Sequence, residues 1–334
     1  MKSVRVAPKR GVCGSALVPG DKSISHRSVM LGSIAEGVTE VTGFLAGEDP
    51  LATMAAFREM GVEIAHNGTN LTIHGVGLHG LKKPARTLDI GNSGTSIRLM
   101  SGLLSGQAFE TVIDGDASIR KRPMKRVIEP LSKMGARIED ADGAGHAPLT
   151  IRGVAPGQKL QAIKYESPVA SAQVKSAILL AGLYADGKTT VREPHPSRDH
   201  TERMLAHMGV RLERGDWGAS IVGGAQPKAA TIDVPADISS AAFFLVAALL
   251  AGEGELVLPK VGVNPTRDGI IEALQSMGAK IELENPRELG GEPVADLRVA
   301  PGALKGATIG GALIPRLIDE IPALCVAACF AEGT

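Results

Sequence analysis

Phe57-Arg58-Glu59-Met60-Gly61-Val62-Glu63-Ile64 is the stretch that decides how this chain is read, because it returns three more times. It comes back as Leu131-Ser132-Lys133-Met134-Gly135-Ala136-Arg137-Ile138 and as Leu205-Ala206-His207-Met208-Gly209-Val210-Arg211-Leu212. The last copy is Leu274-Gln275-Ser276-Met277-Gly278-Ala279-Lys280-Ile281. Each copy has the pattern apolar-x-x-Met-Gly-small-charged-apolar, and successive Met residues lie 74, 74 and 69 positions apart. The physical reading is a helix whose last apolar residue is Met, a Gly in the left-handed conformation that ends it, then a strand. Recurrence at a fixed period marks a repeated supersecondary unit.

A second element alternates with the first. It is a Ser/Ala-rich apolar helix closing at Gly37, Gly106, Gly187, Gly254 or Gly333 and passing into a β-branched strand. After each Met-Gly strand a hairpin is expected, clearest at Asn67-Gly68 between Val62-Glu63-Ile64 and Leu71-Thr72-Ile73. The unit is therefore strand-helix-strand-helix-strand-strand, an α/β architecture. The Met-Gly motif follows the first four closing glycines by 23, 28, 21 and 23 residues, but one residue follows Gly333. A C-terminally truncated polypeptide, with at least one more unit to come, is the expectation.

Composition narrows the class. A chain of 334 residues exceeds one typical core, so two domains are expected. Lys plus Arg equals Asp plus Glu at 36 each, and aromatics are 3%, which leaves neither a global field nor stacking platforms for nucleic acid. Any anion site must be built locally. Cys13, Cys325 and Cys329 are too few and wrongly spaced for a disulfide framework or zinc ribbon; Cys325 and Cys329, four apart in an apolar run, are expected in the core. The N-terminus lacks the apolar segment of a signal peptide, and the longest apolar stretch, Ala241 to Ala251, is too short to span a bilayer. A cytoplasmic, reduced, soluble protein is expected.

The chemistry-bearing residues fall in the loops before the helices. Pro19-Gly20-Asp21-Lys22-Ser23-Ile24-Ser25-His26-Arg27-Ser28 places Lys22, Ser23 and Arg27 where a helix begins. Unpaired N–H groups and the positive dipole end make that an anion seat, while an ordinary capped helix with solvated cations stays open as the alternative. Gly91-Asn92-Ser93-Gly94-Thr95-Ser96-Ile97-Arg98 opens the next apolar helix and by itself reads as a Ser/Gly cap. The third such start is Glu166-Ser167-Pro168-Val169-Ala170-Ser171-Ala172-Gln173-Val174-Lys175-Ser176. Arg120-Lys121-Arg122-Pro123 and Ser197-Arg198-Asp199-His200-Thr201-Glu202 each start a Met-Gly helix with cations at its unfavourable end. Four such placements in one chain point to a polyanionic ligand. Asp319 and Glu320 stand near the fifth apolar helix, where an acid is either a cap or a general base.

Seven segments, most of them quoted above, also carry a family resemblance, in order along the whole chain. They are Pro19 to Arg27, Gly91 to Arg98, Arg122-Pro123, Ser171-Ala172-Gln173, Arg198-Asp199-His200-Thr201-Glu202, Asn264-Pro265-Thr266-Arg267 and Ile318-Asp319-Glu320. Together they resemble the 5-enolpyruvylshikimate-3-phosphate synthase family (3-phosphoshikimate 1-carboxyvinyltransferases). The resemblance implies an enzyme that moves the enolpyruvyl group of phosphoenolpyruvate onto the 5-hydroxyl of shikimate 3-phosphate and releases phosphate. That step belongs to the shikimate pathway, which leads to chorismate and the aromatic amino acids. No metal or organic cofactor is implied. The implied fold has two domains built from βαβαββ units with substrates in a cleft. One domain is expected over 19–228, and an incomplete second over 1–18 plus 229–334, the chain crossing over twice.

The resemblance also implies roles. Lys22, Ser23, Arg27, Ser171, Ala172, Gln173, Arg198 and Asp319 would hold shikimate 3-phosphate; Lys22, Gly94, Arg122 and Gln173 would hold phosphoenolpyruvate. Asp319 would take the 5-hydroxyl proton, with Lys22 reaching toward both substrates as the second catalytic residue. The family's Lys-Glu pair, which would protonate the enol carbon, lies in a last stretch that this sequence does not contain. Two phosphates and two carboxylates bring about five negative charges together, which gives the cations their purpose. Several motifs resemble the more glyphosate-tolerant class, while Gly94 keeps the smallest side chain. A monomer without nucleic-acid or membrane partners is expected. Two alternatives are a truncated fragment that only binds substrate and the related transferase acting on UDP-N-acetylglucosamine. The latter carries an early loop cysteine, and Cys13 lies outside any such loop.

Overall fold

In the computed structural model, which describes residues 11–155 and 157–334, the period of the sequence becomes a period of structure. The first repeat runs β1 (Gly14–Ser15), α1 (Lys22–Ser33), β2 (Glu36–Thr42), α2 (Glu48–Glu59), β3 (Glu63–Asn67) and β4 (Asn70–Val76). The second runs β5 (Leu88–Asp89), α3 (Gly94–Ser105), β6 (Glu110–Asp114), α4 (Lys125–Lys133), β7 (Arg137–Asp140) and β8 (Leu149–Arg152). The third is β9 (Lys164–Glu166), α5 (Ala172–Gly182), β10 (Lys188–Arg192), α6 (His200–His207), β11 (Leu212–Gly215) and β12 (Gly218–Val222). The fourth is β13 (Thr231–Asp233), α7 (Ile238–Leu249), β14 (Leu256–Gly262), α8 (Gly269–Ser276), β15 (Lys280–Leu289) and β16 (Glu292–Ala300). Two short helices follow, α9 (Ile314–Leu317) and α10 (Ile321–Ala328).

The Met-Gly motif ends α2, α4, α6 and α8 by one mechanism. Met60, Met134, Met208 and Met277 occupy the C-cap and are buried. The glycines that follow have φ of 85°, 86°, 82° and 92°, a region that penalises any Cβ. The next residue's N–H then reaches back five positions, as Val62 does to Phe57 O at 3.1 Å and Ala136 to Leu131 O at 3.0 Å. Each Met carbonyl is closed by a backbone N–H from the segment after the hairpin, at Lys82, Gln161, Lys228 and Lys305. Helix end and hairpin exit are thereby tied together in every repeat.

Four sheets of four strands result, all with one topology. The leading strand runs parallel to the second, the second antiparallel to the fourth, and the fourth antiparallel to the third. The orders are β5-β6-β8-β7 and β9-β10-β12-β11 in the second and third repeats. The first and fourth repeats trade their leading strands. β13 pairs with β2, Thr231 opposite Glu40, and β1 pairs with β14, Gly14 opposite Leu256.

This exchange sets the limits of the two compact units. One is Asp21–Val234; the other comprises 235–334 with the segment up to Gly20. The expected limits, 19–228 and 1–18 plus 229–334, need correction, because Thr231–Asp233 completes the first sheet before the chain leaves that unit. Of the expected N-terminal segment, residues 1–10 lie outside the described residues.

Within the larger unit α1, α3 and α5 are buried nearly all round, as central helices are. Several serines of α1 and α3 bond back to their own helix: Ser33 Oγ donates to Val29 O (2.7 Å), Ser101 to Ile97 O (2.6 Å) and Ser105 to Ser101 O (2.7 Å). Small residues also let helices touch, since a Cβ at Gly102 would stand 2.0 Å from Ala177 O of α5. The smaller unit has its own core around Leu245, Leu258, Leu274, Leu297 and Leu317. Cys325 and Cys329 are exposed, against expectation, because α10 turns Ala323, Leu324 and Ala327 inward and leaves the cysteines on the opposite side.

Candidate functional site

The starts of α1, α3 and α5 converge in the 21–234 unit, and polar side chains link each pair of them. Asp21, Ser93 and Ser171 are the N-caps, accepting from the N–H of Ile24 (2.8 Å), Ser96 (3.1 Å) and Val174 (3.5 Å). Between α1 and α5, buried Arg27 donates through Nη2 to Ser176 Oγ (3.0 Å) and through Nε to Thr201 Oγ1 of α6 (2.7 Å). Between α1 and α3 runs a chain of side chains: His26 Nδ1 to Thr53 Oγ1 (2.8 Å), Thr53 to Ser96 Oγ (2.6 Å) and Ser96 to Ser93 Oγ (2.6 Å). Between α3 and α5, Arg98 Nη1 donates to Gln173 Oε1 (2.7 Å), and Gln173 Nε2 donates to Thr95 Oγ1 (3.2 Å). Three positive dipole ends and their unpaired N–H groups therefore meet at one pole of this unit.

The electrostatics of that pole are uneven. Arg98 is 5% exposed, and its described hydrogen-bond partners, Gly94 O and Gln173 Oε1, are both neutral. Burial first, then the charges of Arg126 and Arg122, lower its pKa to about 10, so it stays charged at neutral pH. Arg122 donates to Asn92 Oδ1 at 2.6 Å. Gly94 lies between these guanidinium groups: a Cβ there would stand 2.8 Å from Nη1 of Arg122 and 2.8 Å from Nη1 of Arg98. His26 is held neutral, its pKa lowered to about 3 by burial and then by Arg27 and Lys22.

Other expected residues are placed as follows. Lys22 opens α1, is half-exposed and stands 3.6 Å from Asp49. Ser23 gives its carbonyl to Arg27 Nη1 at 2.9 Å. Ser171, Ala172 and Gln173 form the start of α5, and the helix leaves the N–H groups of Ala172 and Gln173 without an intrahelical acceptor. Arg198 is half-buried in the segment before α6. The pattern of four cation-bearing helix starts needs correction. Arg120 is taken up by Asp114 at 2.6 Å and Arg198 lies two residues before α6, which opens with buried His200, while α4 does open with the cations Lys125 and Arg126.

Behind Ser171 lies a buried ion cluster. Lys175 Nζ stands 3.0 Å from Glu193 Oε2 and 2.9 Å from Glu202 Oε1, and donates to Ser197 O at 3.1 Å. Glu193 Oε1 accepts the Ser171 N–H at 2.7 Å, and Ser197 Oγ donates to Oε2 at 2.7 Å. Burial works to lower the Lys175 pKa, but Glu202 and Glu193 outweigh it and raise it overall.

In the other unit Asp319 is exposed in the turn between α9 and α10, and the N-cap of α10 is Glu320. Glu320 is buried, accepts a hydrogen bond from Ser239 Oγ and stands 3.5 Å from Arg267. Arg267 in turn donates to Ser239 Oγ at 2.5 Å and lies 3.5 Å from Asp237. Asn264 shapes its own loop, its Oδ1 accepting from Thr266 N at 2.9 Å. Sequence reasoning left Arg98, Lys175 and Glu193 without roles, while of the two roles open to Glu320, cap or base, the structure gives it the N-cap position of α10. All but Glu193 stood inside quoted motifs, and position within the motif was the available signal. Among the described residues no group of three or more His, Cys, Asp or Glu side chains is disposed to hold a metal ion, and no helix is long and apolar enough to cross a membrane.

Repeated βαβαββ units, three of whose apolar helices start beside Lys22, Arg98 and Arg122, define the protein as α/β. Comparison with known proteins makes this specific. The family model for EPSP synthase (3-phosphoshikimate 1-carboxyvinyltransferase) matches residues 6–334. The chain is 60% identical to the 3-phosphoshikimate 1-carboxyvinyltransferase of Pelobacter propionicus, over 100% of this chain and 77% of that protein. It is 61% identical to that of Methylococcus capsulatus, over 96% and 72%. A solved EPSP synthase from Acinetobacter baumannii superposes with a TM-score of 0.91 at 53% identity, covering 98% of this chain and 73% of that one. The chain belongs to the EPSP synthase family, enzymes that transfer the enolpyruvyl group of phosphoenolpyruvate to shikimate 3-phosphate in the shikimate pathway.

Proposed function

We propose that the pole where α1, α3 and α5 begin is the part of this enolpyruvyl transferase that receives its two anionic substrates. Gly94, Arg122, Gln173 and Lys22 are assigned to phosphoenolpyruvate, and Arg98, which sequence reasoning passed over, joins them. Lys22, Ser23, Arg27, Ser171, Ala172, Gln173 and Arg198 are assigned to shikimate 3-phosphate. The observation that carries this reading is Arg98, a buried cation beside Arg122 whose described partners are neutral. A buried charge without a counter-ion is costly, and a bound carboxylate or phosphate offsets that cost through charge-assisted hydrogen bonds.

On the other unit, Asp319 is assigned as the base. As the 5-hydroxyl oxygen bonds to the substituted carbon of phosphoenolpyruvate, its proton passes to Asp319 and the opening double bond takes a proton at the methylene carbon, the role the resemblance gives to the family's Lys-Glu pair; loss of a proton from the resulting methyl group then re-forms the double bond as phosphate leaves. Support comes from the anchoring of its neighbour Glu320 by Ser239 and Arg267, which fixes the turn while leaving Asp319 exposed. Shikimate 3-phosphate also falls to Asp319 in this assignment, through its 5-hydroxyl. The reading takes the protein as cytoplasmic and monomeric, with no nucleic-acid or membrane partner; zero net charge is in keeping with that. It extends to glyphosate, which would compete at Gly94.

Calorimetric titration with shikimate 3-phosphate tests the assignment. Lys22→Met should weaken binding by about 2 kcal/mol, the scale of one charge-assisted hydrogen bond. An unchanged titration would return the start of α1 to an ordinary capped helix.

A further inference from the structure

Lys175, Glu193 and Glu202 lie outside the assigned contact residues, yet two loops that carry such residues are fastened to them. Glu193 is the hub. One carboxylate oxygen takes the backbone N–H of Ser171, the N-cap of α5, at 2.7 Å. The other takes Ser197 Oγ at 2.7 Å, one residue before Arg198. Lys175, one turn into α5, bridges the same carboxylate at 3.0 Å and the Ser197 carbonyl at 3.1 Å. Glu202, from the first turn of α6, holds the ammonium from the far side at 2.9 Å. All three side chains are nearly inaccessible to solvent, at 4%, 1% and 1%.

A buried cluster of one cation and two carboxylates is a poor way to gain stability, because desolvation consumes most of the Coulombic attraction. What this cluster supplies is geometry, since Lys175 Nζ, the Ser171 N–H and Ser197 Oγ all converge on the one carboxylate of Glu193. Here that arrangement fixes the distance between the Ser171 cap and the Ser197–Arg198 segment. It also occupies the Ser171 N–H, so the N–H groups left at the start of α5 are those of Ala172 and Gln173.

We infer that Glu193, held in place by Lys175 and Glu202, is a positioning residue that sets the Ser171–Gln173 helix start and the Ser197–Arg198 segment at the spacing required by the phosphate ester of shikimate 3-phosphate. This rests on the substrate assignment proposed above. Glu193 does not touch the substrate. Its influence is carried by one backbone N–H and one hydroxyl, so it acts on the phosphate ester and not on the Arg98–Arg122 side of the pole.

The test is calorimetric titration of the whole chain with shikimate 3-phosphate and, separately, with phosphoenolpyruvate, alongside urea unfolding. Glu193→Gln keeps the length but places an NH2 group against Ser171 N–H or Lys175. It should weaken shikimate 3-phosphate at least tenfold and phosphoenolpyruvate less than threefold. Glu202→Gln keeps an acceptor for Lys175 and touches neither loop, so its shikimate 3-phosphate affinity should stay within threefold of wild type. Ser197→Ala, which leaves Lys175 on the same carboxylate, should weaken shikimate 3-phosphate by about threefold to tenfold with a smaller shift of the urea midpoint than Glu193→Gln. Equal losses for both ligands, or wild-type affinity in both Glu193→Gln and Ser197→Ala, would overturn the inference while leaving the substrate assignment standing. Failure of the wild-type chain to bind shikimate 3-phosphate would overturn both.

Discussion

Arg98 and Lys175 are buried cations at nearly the same depth on neighbouring helices, the fifth residue of α3 and the fourth of α5. Their surroundings are opposite. Lys175 has two carboxylates within 3.0 Å, whereas Arg98 bonds to a carbonyl and an amide oxygen and faces two further arginines. The first is charge-compensated by the protein itself and belongs to the scaffold. The second has only neutral described partners, and the proposed function supplies its counter-charge from an anionic substrate. Burial alone does not separate a structural cation from a ligand-binding one; the sign of what surrounds it does.

The largest expected effect lies on the Lys175 side. Lys175→Met would strand Glu193 and Glu202 in the core, at a cost of about 3–5 kcal/mol in urea unfolding. Arg98→Met removes a charge whose described partners are neutral, so its unfolding free energy should change by no more than about 1 kcal/mol. The binding effect should be reversed: Arg98→Met and Arg122→Met should each weaken phosphoenolpyruvate by about 2 kcal/mol. A common loss of stability in Lys175→Met and Arg98→Met would erase the distinction.

A third, smaller effect comes from His26, which shares the pole but is kept neutral. Its folded pKa, about 3, lies below the unfolded value of 6.5. The unfolded chain therefore takes up a proton that the folded chain refuses. Stability is fully present above pH 6.5 and is lost as pH falls toward 3, with a limiting slope of about 1.4 kcal/mol per pH unit from this group. Urea unfolding between pH 4 and 6 should show a shallower slope in His26→Gln; an identical slope would mean that His26 charges in the folded state. The smallest effect is expected at Gly94. A Cβ there would push the ends of Arg98 and Arg122, which can yield, so Gly94→Ala should weaken phosphoenolpyruvate by less than about 1 kcal/mol. The longer inhibitor glyphosate should lose more, and equal losses would remove Gly94 as a discriminating residue.

The repeat was legible because its signal is local. A buried Met followed by Gly at positive φ is a backbone requirement written into adjacent positions, and it recurs four times. The exchange of leading strands left no such trace: β1 has two residues and β13 three, too short for alternation to select a partner. Exposure of Cys325 and Cys329 was hidden for a related reason, since a uniformly apolar helix does not declare which face is buried. In the site, residues at helix starts could be read from cap and dipole chemistry. The roles of Arg98 and Lys175 could not. Both are cations a few residues inside apolar helices, and what separates them is Glu193, 18 positions beyond Lys175 and across a strand.

The central claim is that Arg98 marks the seat of an anionic substrate. The direct measurement is the urea midpoint of the chain, saturated with shikimate 3-phosphate, with and without phosphoenolpyruvate. Ligand that binds only the folded form stabilises it by about 2.7 kcal/mol at one hundred times its dissociation constant. At that concentration the wild-type midpoint should rise accordingly, while Arg98→Met, folded to the same extent without ligand, should show at most a small fraction of the rise. An equal rise in both proteins would contradict the account.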